Sequence, residues 1–313
     1  MPLHPSKHVG DAWYYVKEDV VHCFYLMTPT DENPLSPNGI GHAISTDLVR
    51  WDTLDSALIH DASERWHEQS AAHLAVGSVL QHEDRYWLAY TGNTSITRKN
   101  EAAVCLAVSD DLLNWEKVTY NPVTRVDPLY YERWSVESEQ SVHWCTPFLF
   151  AYDGWVYHYV CASRRNGPAD QRGTPGLACT NDMINWEVLP PPILEPILQS
   201  MDMPQLYAEN GRFYLVFFAH ASDFARDFAA RYGSELTATM YSMVSPTPFG
   251  PFRMLGSGRI IPLDSSLQIA AAQIVHWRGE HHLLCSVRGG EVQLVRVEFT
   301  AAGVKVSAGS AQR

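Results

Sequence analysis

The chain has 313 residues, 46% of them hydrophobic and 19% charged, and 23 Lys and Arg against 35 Asp and Glu give a formal net charge of −12. This composition is that of a globular protein, and the lack of any run of about 18 apolar residues excludes a membrane-spanning helix. The acidic balance argues against nucleic acids and anionic membranes as partners, because both require clustered Lys and Arg. The N-terminus has no apolar signal-peptide core, so we expect a cytoplasmic protein whose cysteines are thiols.

Five segments along the chain share one plan, in which two strand-length apolar runs flank a two-residue turn. They are residues 11–28, 75–93, 147–163, 204–220 and 271–288. The turn pairs are Glu18-Asp19, Glu83-Asp84, Asp153-Gly154, Asn210-Gly211 and Arg278-Gly279. Runs rich in Val, Tyr, Phe and Trp around such pairs are typical of β-hairpins. The sequence therefore predicts five hairpins.

A second phrase follows each of the first four hairpins and predicts a third strand, a turn and a fourth strand. Its copies are GHAISTDLVRW, AVCLAVSDDLLNW, GLACTNDMINW and the degenerate TMYSMVSPTPFGPF. A worn fifth copy lies at 291–309. Five repeats of four antiparallel strands predict an all-β, five-bladed β-propeller. No Pro-, Gly- or Ser-rich linker divides the chain, so we expect residues 1–313 to form a single domain.

One segment has a helical pattern within this series of strands. Phe224, Phe228 and Tyr232 recur at every fourth position of residues 222–235, which predicts a short helix with an aromatic face.

Two aspartates stand where inner strands begin, at the end of a propeller where binding sites form. The five inner strands begin near Asp11, His73, Trp144, Asp202 and Ala270. A carboxylate at the start of an apolar inner strand is costly to bury unless it has a use. We expect Asp11 and Asp202 to occupy equivalent positions in their blades, which makes them candidates for catalysis.

Sugar-binding side chains are expected around these carboxylates. Aromatic rings stack on sugars, and Trp13 and Trp144 lie on or near inner strands. Four polar residues at the same end could hold hydroxyl groups: Asn93, His143, Arg164 and His220. Among the fourteen histidines, His281 and His282 are adjacent and lie on opposite faces of a strand, and the sequence predicts no metal site. Phosphate-binding loops and nucleotide fingerprints are also absent, and no cofactor is predicted.

Several of these motifs together resemble glycoside hydrolase family 32, the β-fructofuranosidases. They are GHAISTDLVRWDTLDSAL at 41–58, His-Val-Gly-Asp at 8–11, GSVLQHEDRYWLAYTGN in blade two and Asp-Met-Pro-Gln at 202–205. Similar phrases occur in the related five-bladed families 43 and 68. In such enzymes a first-blade Asp is the nucleophile or general base, and a blade-four carboxylate is the acid. The resemblance implies these roles for Asp11 and Asp202.

The chain departs from that family at three points. Blade three of the family begins Arg-Asp-Pro, whereas this chain has Cys145-Thr146-Pro147. Thr146 thus replaces an Asp that holds substrate hydroxyls, and Glu137 and Glu139 are possible substitutes for the lost carboxylate. The blade-four acid is Asp202 rather than Glu, which would lengthen the carboxyl separation toward the roughly 6.5–9.5 Å of inverting enzymes. The β-sandwich that follows the propeller in the family is not found in this sequence.

The resulting expectation is a hydrolase that cleaves a furanoside bond, fructofuranosyl or arabinofuranosyl, in a small imported oligosaccharide. Two alternatives remain open. Thr146 is compatible with a propeller that binds carbohydrate without cleaving it. If the 222–235 helix covers the entrance, its aromatic face favours other chemistry, such as a transferase or cyclase reaction on a non-sugar molecule.

Overall fold

The structure consists of two compact units, each assembled from separate stretches of chain. The computed structural model describes residues 3–4, 6–32, 39–59, 74–92, 102–133, 144–265, 267, 269, 271–287 and 291–307. Unit 1 comprises residues 1–123, 266–297 and 307–313, and unit 2 comprises residues 124–265 and 298–306. The prediction of a single domain stays a prediction.

Unit 1 contains the first two sheets and most of the fifth. The first sheet has β1 (Lys7–Lys17), β2 (Val20–Pro29), β3 (Gly39–Ser45), β4 (Asp52–Thr53) and β5 (Leu58–Ile59). The second has β6 (Leu74–His82), β7 (Arg85–Gly92), β8 (Ala103–Ser109) and β9 (Glu116–Lys117). The fifth begins with β17 (Ala271–Trp277), β18 (Glu280–Val287) and β19 (Glu291–Thr300).

Unit 2 contains the third and fourth sheets and the last strand. The third sheet has β10 (Cys145–Tyr152), β11 (Trp155–Ser163), β12 (Gly173–Thr180) and β13 (Glu187–Leu189). The fourth has β14 (Asp202–Glu209), β15 (Arg212–Ala219) and β16 (Thr239–Ser245). The last strand, β20 (Gly303–Val306), follows β19 in the strand order of the fifth sheet. Five sheets in sequence order confirm the predicted five-bladed β-propeller.

All five predicted hairpin turns are confirmed. The first residue of each predicted turn pair has a positive φ of 49° to 54°: Glu18, Glu83, Asp153, Asn210 and Arg278. A left-handed turn residue matches the right-handed twist of the flanking strands. The turn therefore fixes the register of each hairpin at the point where the sequence changes from apolar to polar.

Blade four lacks the fourth strand that the repeat predicts. Its sheet has three strands, and the region around Phe252 makes only isolated bridges, Leu194 to Phe252 and Val244 to Arg253. Pro248 and Pro251 have no backbone N–H to donate, so a continuous ladder cannot form there. The expectation of four strands in every blade is therefore wrong for blade four.

The helix predicted over 222–235 is interrupted. The structure has α1 at Arg226–Tyr232, with single 3₁₀ turns at Ala221–Asp223 and Gly233–Glu235 and another at Ala169–Gln171. Phe224 is extended because its backbone bridges to Leu198. Phe224 and Phe228 are 4% and 6% exposed and pack in the core of unit 2. No helix among the described residues is long and apolar enough to cross a membrane.

In unit 1, the side-chain amide of Gln273 in the fifth sheet hydrogen-bonds to the backbone of Tyr14 in the first sheet. Tyr14 donates its backbone N–H to Gln273 Oε1 at 2.7 Å, and Gln273 Nε2 donates to the Tyr14 carbonyl at 3.0 Å. The Tyr14 ring is buried with Leu284 and Trp51 in the same hydrophobic cluster. Gln273 thus imitates a strand partner for β1, satisfying two backbone groups that would otherwise be unpaired.

Candidate active site

Within the described residues, four of the five inner strands carry a β-bulge close to their first residue. The register shifts lie between Val9 and Ala12, Ala75 and Ser78, Cys145 and Phe148, and Asp202 and Gln205. No shift is recorded in β17. Bulges are enriched beside active sites, where they redirect side chains that a regular strand would point elsewhere. Of the predicted residues that the structure describes, Asp11 and Thr146 lie inside a bulge, and Asp202 is the last paired residue before one.

The two candidate aspartates do not share one position in this pattern. Asp11 lies inside the bulge of β1, one residue before Ala12, whereas Asp202 is the last paired residue before the bulge of β14. In register, Asp202 corresponds to Val9, and Asp11 corresponds to Pro204. The predicted equivalence is therefore wrong by two residues. The two bulges have the same size, so the aspartates differ only in where they stand relative to the bulge, which the hydrophobic pattern does not show.

Only one of the two carboxylate oxygens of Asp202 accepts hydrogen bonds from the described residues. Its Oδ1 accepts hydrogen bonds from the backbone N–H of Met203 at 2.8 Å and from Cys161 Sγ at 3.0 Å. Its Oδ2 receives no hydrogen bond from the described residues, and the side chain is exposed. This arrangement leaves one oxygen of an oriented carboxyl group available to a ligand.

Asp11 is half-buried in the β1 bulge. The neighbouring Gly10 is exposed, and a Cβ there would lie 3.2 Å from the Cβ of Leu26. The bulge turns Asp11 out of the paired register that the rest of β1 follows.

Blade three brings Thr146 into contact with the neighbours of Asp202. Thr146 is the first bulge residue of β10 and has a φ of 55°, as Met203 has a φ of 48° at the matching place in β14. Its Oγ1 donates to the Cys145 carbonyl at 2.7 Å and lies 2.8 Å from Cys161 Sγ. Cys161 therefore bridges the predicted residues Thr146 and Asp202.

Cys161 is a functional candidate that the sequence analysis did not identify. It is 2% exposed and lies directly opposite Cys145 in the β10–β11 ladder. Burial raises the pKa of the Cys161 thiol well above its usual range, and its hydrogen bond with Cys145 and the charge of Asp202 act in the same direction. The thiol therefore keeps its proton and can donate it to a carboxylate. Its sequence context, an apolar strand, gave no signal beyond a buried cysteine.

The two tryptophans predicted to stack on sugars pack inside their units in this structure. Trp13 is 1% exposed and stacks on Phe24 with ring centroids 6.3 Å apart. Trp144 is 2% exposed and donates its Nε1–H to Thr124 Oγ1 at 3.0 Å. Both rings are covered, and their role as sugar platforms stays a prediction.

Two polar candidates and one unforeseen carboxylate lie in unit 2. Arg164 is half-buried, and its Nε and Nη2 find no partner among the described residues. Burial lowers the Arg164 pKa from its usual value. His220 is exposed, and its backbone N–H donates to Asp223 Oδ2 at 2.7 Å. Burial raises the pKa of Asp223, and the charge of Asp202 adds a smaller increase.

The remaining sequence-based candidates, Asn93, His143, Glu137 and Glu139, lie outside the described residues. Of the predicted site, unit 1 holds Asp11 and Trp13. Unit 2 holds Trp144, Thr146, Arg164, Asp202 and His220. Within unit 2, hydrogen bonds connect Thr146, through Cys161, to Asp202.

Comparison with known proteins identifies the family of this chain. A family model described as the glycosyl hydrolases family 32 N-terminal domain matches residues 12–189, more than half of the chain. The chain belongs to glycoside hydrolase family 32. The matched range ends before Asp202 and begins one residue after Asp11, so neither candidate carboxylate of this family 32 protein is covered by it.

One curated relative and several solved structures are also similar to this chain. Sucrose-6-phosphate hydrolase of Bacillus subtilis strain 168 is 29% identical over 152 residues, which are 48% of this chain and 27% of that protein. The family 32 protein thus matches about a quarter of that relative's length. The inulosucrase from Halalkalicoccus jeotgali bound to kestose superposes with a TM-score of 0.75 at 18% identity, covering 99% of this chain and 90% of that one. An α-L-arabinanase mutant from Cellvibrio cellulosa superposes with a TM-score of 0.64 at 16% identity, covering 97% and 96%. At these identities the structural likeness shows the fold alone.

Proposed function

We propose that this family 32 protein hydrolyses a furanoside bond in a small saccharide, with fructofuranosides as the first substrate class and arabinofuranosides as the second. The observation that carries the proposal is the family match over residues 12–189. The sucrose-6-phosphate hydrolase relative supports a fructoside, plain or phosphorylated, and the kestose-bound inulosucrase supports the same sugar. The arabinanase likeness supports the second class. A cytoplasmic location and a saccharide as the only partner belong to the same proposal.

Asp202 is proposed as the general acid. Glycoside cleavage requires a carboxylic acid that protonates the leaving oxygen. Because Oδ1 of Asp202 already accepts two hydrogen bonds, a proton on this carboxyl group belongs on Oδ2. That oxygen has no partner among the described residues and lies on an exposed side chain. The acid would therefore present its proton outward.

Asp11 is proposed as the nucleophile or general base. The support is its place in the bulge of β1, which takes it out of the ladder, and the first-blade Asp of the resembling families. A carboxylate in either role must stay ionised while its partner stays protonated. Replacement of the usual blade-four Glu by Asp202 favours inversion, which NMR of the freshly released sugar would reveal as the opposite anomer.

The test is hydrolysis of a panel containing sucrose, sucrose-6-phosphate, kestose, short inulin and levan oligomers, and an aryl arabinofuranoside. Wild type is compared with Asp11→Asn and Asp202→Asn. Asp153→Asn serves as the matched control, because Asp153 is an exposed hairpin-turn residue at a positive φ that Asn tolerates. We expect the two site variants to lose at least about 100-fold in kcat/KM and the control to retain full activity.

Two outcomes would overturn the proposal. Hydrolysis that survives in both site variants would remove Asp11 and Asp202 from the mechanism. Folded wild-type protein that binds panel members by calorimetry without cleaving them would be a carbohydrate-binding propeller. Thr146 in place of the family's Asp is the observation that favours this second function.

A further inference from the structure

We propose that Cys161 is a positioning residue for Asp202: its thiol, supported by Thr146, orients the carboxyl group and confines the acid proton to Oδ2. This inference rests on the proposed role of Asp202 as the acid. It assigns a function to a strand-two residue of blade three that lies in no catalytic motif of the sequence.

The contacts form a continuous chain of polar groups within unit 2. Thr146 Oγ1 lies 2.8 Å from Cys161 Sγ, and Cys161 Sγ donates to Asp202 Oδ1 at 3.0 Å. The backbone N–H of Met203 donates to the same oxygen at 2.8 Å. Because Cys161 is 2% exposed, water does not compete for its proton. Two donors from different strands thus fix both the position and the rotation of the carboxyl group.

The direction of each hydrogen bond follows from the charges. An ionised carboxylate is a stronger acceptor than a neutral hydroxyl, so the single thiol proton points to Asp202 rather than to Thr146. Burial keeps the Cys161 thiol protonated, since it raises the pKa of that group. The Thr146 hydroxyl has both Cys161 Sγ and the Cys145 carbonyl within reach as acceptors. Its one proton goes to the Cys145 carbonyl at 2.7 Å, so Thr146 packs against the sulfur without taking the thiol proton from Asp202.

The β10 bulge explains why this contact exists. It gives Thr146 a positive φ and places Cys145 opposite Cys161, so the Thr146 hydroxyl turns toward the partner strand. The position that would hold a substrate-binding Asp in the resembling family instead supports a neighbouring acid. This accounts for a threonine there without requiring the site to be inactive.

The experiment compares Cys161→Ala, which removes the donor, with Cys161→Ser, which keeps one. Cys179→Ala is the matched control, because Cys179 is a buried strand cysteine of the same blade at 8% exposure. We expect Cys161→Ala to lower kcat about 3- to 10-fold with little change in KM, and to move the alkaline limb of kcat/KM upward by about half a pH unit. In Cys161→Ser the alkaline limb of kcat/KM should return to its wild-type position, and Cys179→Ala should match wild type in kcat and in the pH profile.

A second measurement separates this inference from the proposed function. Carbon-13 NMR of labelled aspartate follows the titration midpoint of the Asp202 carboxyl, assigned by the signal lost in Asp202→Asn. We expect a higher midpoint in Cys161→Ala than in wild type and in Cys161→Ser. If no saccharide is cleaved but the midpoint moves, the proposed function fails and the positioning contact stands. An unchanged midpoint in folded Cys161→Ala would overturn the inference, whether or not the protein is a hydrolase.

Discussion

Thr124 shows how one hydroxyl can organise buried groups that the sequence presents as unrelated. It is 4% exposed, accepts the Nε1–H of Trp144 at 3.0 Å and lies 2.9 Å from His158 Nε2. Burial lowers the pKa of His158 to about 3. His158 is therefore neutral at pH 7, and a hydrogen bond joins its Nε2 to Thr124 Oγ1.

Thr124→Val should lower the free energy of unfolding by about 1–3 kcal/mol, because the nearly isosteric valine leaves Trp144 Nε1 and His158 Nε2 without their partner. Urea denaturation followed by tryptophan fluorescence measures this change. Thr124→Ser keeps the hydroxyl and should remain close to wild type. A valine variant as stable as wild type would show that both groups find water or another partner.

The residues of the candidate site differ in how far the sequence could predict them. Asp11 and Asp202 stood out because a carboxylate at the head of an apolar strand is chemically unusual. Cys161 and Asp223 did not stand out, because their importance depends on a neighbour in space. Cys161 contacts Asp202 from another strand. The pKa of Asp223 is raised in part by the charge of Asp202. Contacts of this kind join residues far apart in the sequence and leave no local pattern.

At the scale of elements, turns were predictable and bulges were not. Polar residues that accept a positive φ indicate a hairpin turn in the sequence, and all five predicted turns have a positive φ at their first residue. A bulge adds one residue inside an apolar run, so it shifts the register without changing composition. Asp11 lies inside its bulge and Asp202 lies before one of the same size, so the predicted equivalence failed while the hairpins containing them were correct.

A repeated polar turn is a further element that the sequence phrase encoded. In blade two, Ser109 Oγ accepts the backbone N–H of Leu112 at 2.9 Å, and Asp111 Oδ1 accepts those of Leu113 and Asn114 at 2.8 Å each. In blade one, Ser45 Oγ accepts the equivalent hydrogen bond, from the backbone N–H of Leu48. The recurrent Ser/Thr-x-Asp pattern thus satisfies the backbone where the third strand ends.

The bulge of β6 makes a sharp prediction about glycine. A Cβ at Gly77 would lie 1.9 Å from the Ala89 carbonyl oxygen, whereas at Gly10 the closest atom is the Leu26 Cβ at 3.2 Å. Gly77→Ala should therefore destabilise the protein by about 1–3 kcal/mol or more, since backbone must move to make room. Gly10→Ala should stay within about 1 kcal/mol of wild type. Equal midpoints of urea unfolding for the two variants would contradict this account of the β6 bulge.

At the scale of the whole molecule, buried histidines predict sensitivity to mild acid. Burial lowers the pKa of His22 to about 4 and those of His42 and His158 to about 3. The first two form a pair, with His22 Nδ1 3.0 Å from His42 Nε2. The unfolded chain binds protons at these positions near pH 6.5, whereas the folded chain does not. The free energy of unfolding is therefore unaffected by these rings above pH 6.5. It falls as the pH drops from 6.5 toward 4, because only the unfolded chain takes up the protons.

We expect each of these histidines to reduce the free energy of unfolding by about 2 kcal/mol between pH 6.5 and 5. Urea unfolding at pH 7.5, 6 and 5 measures the loss, and most carboxylates remain ionised across that range. A free energy of unfolding that stays constant from pH 7.5 to 5 would show that the three rings take up protons in the folded protein as readily as in the unfolded chain.

The hydrogen bonds of the Gln273 amide to β1 also have a consequence for folding during synthesis. Tyr14 is synthesised early and its partner 259 residues later, after all of the chain that forms unit 2 up to residue 265. Until then the nascent chain carries a β1 edge whose Tyr14 backbone lacks its native partner. Such an edge is what holdase chaperones bind and what pairs with other chains when protection fails. The native hydrogen bonds of Tyr14 can therefore form only after residue 273 has been synthesised.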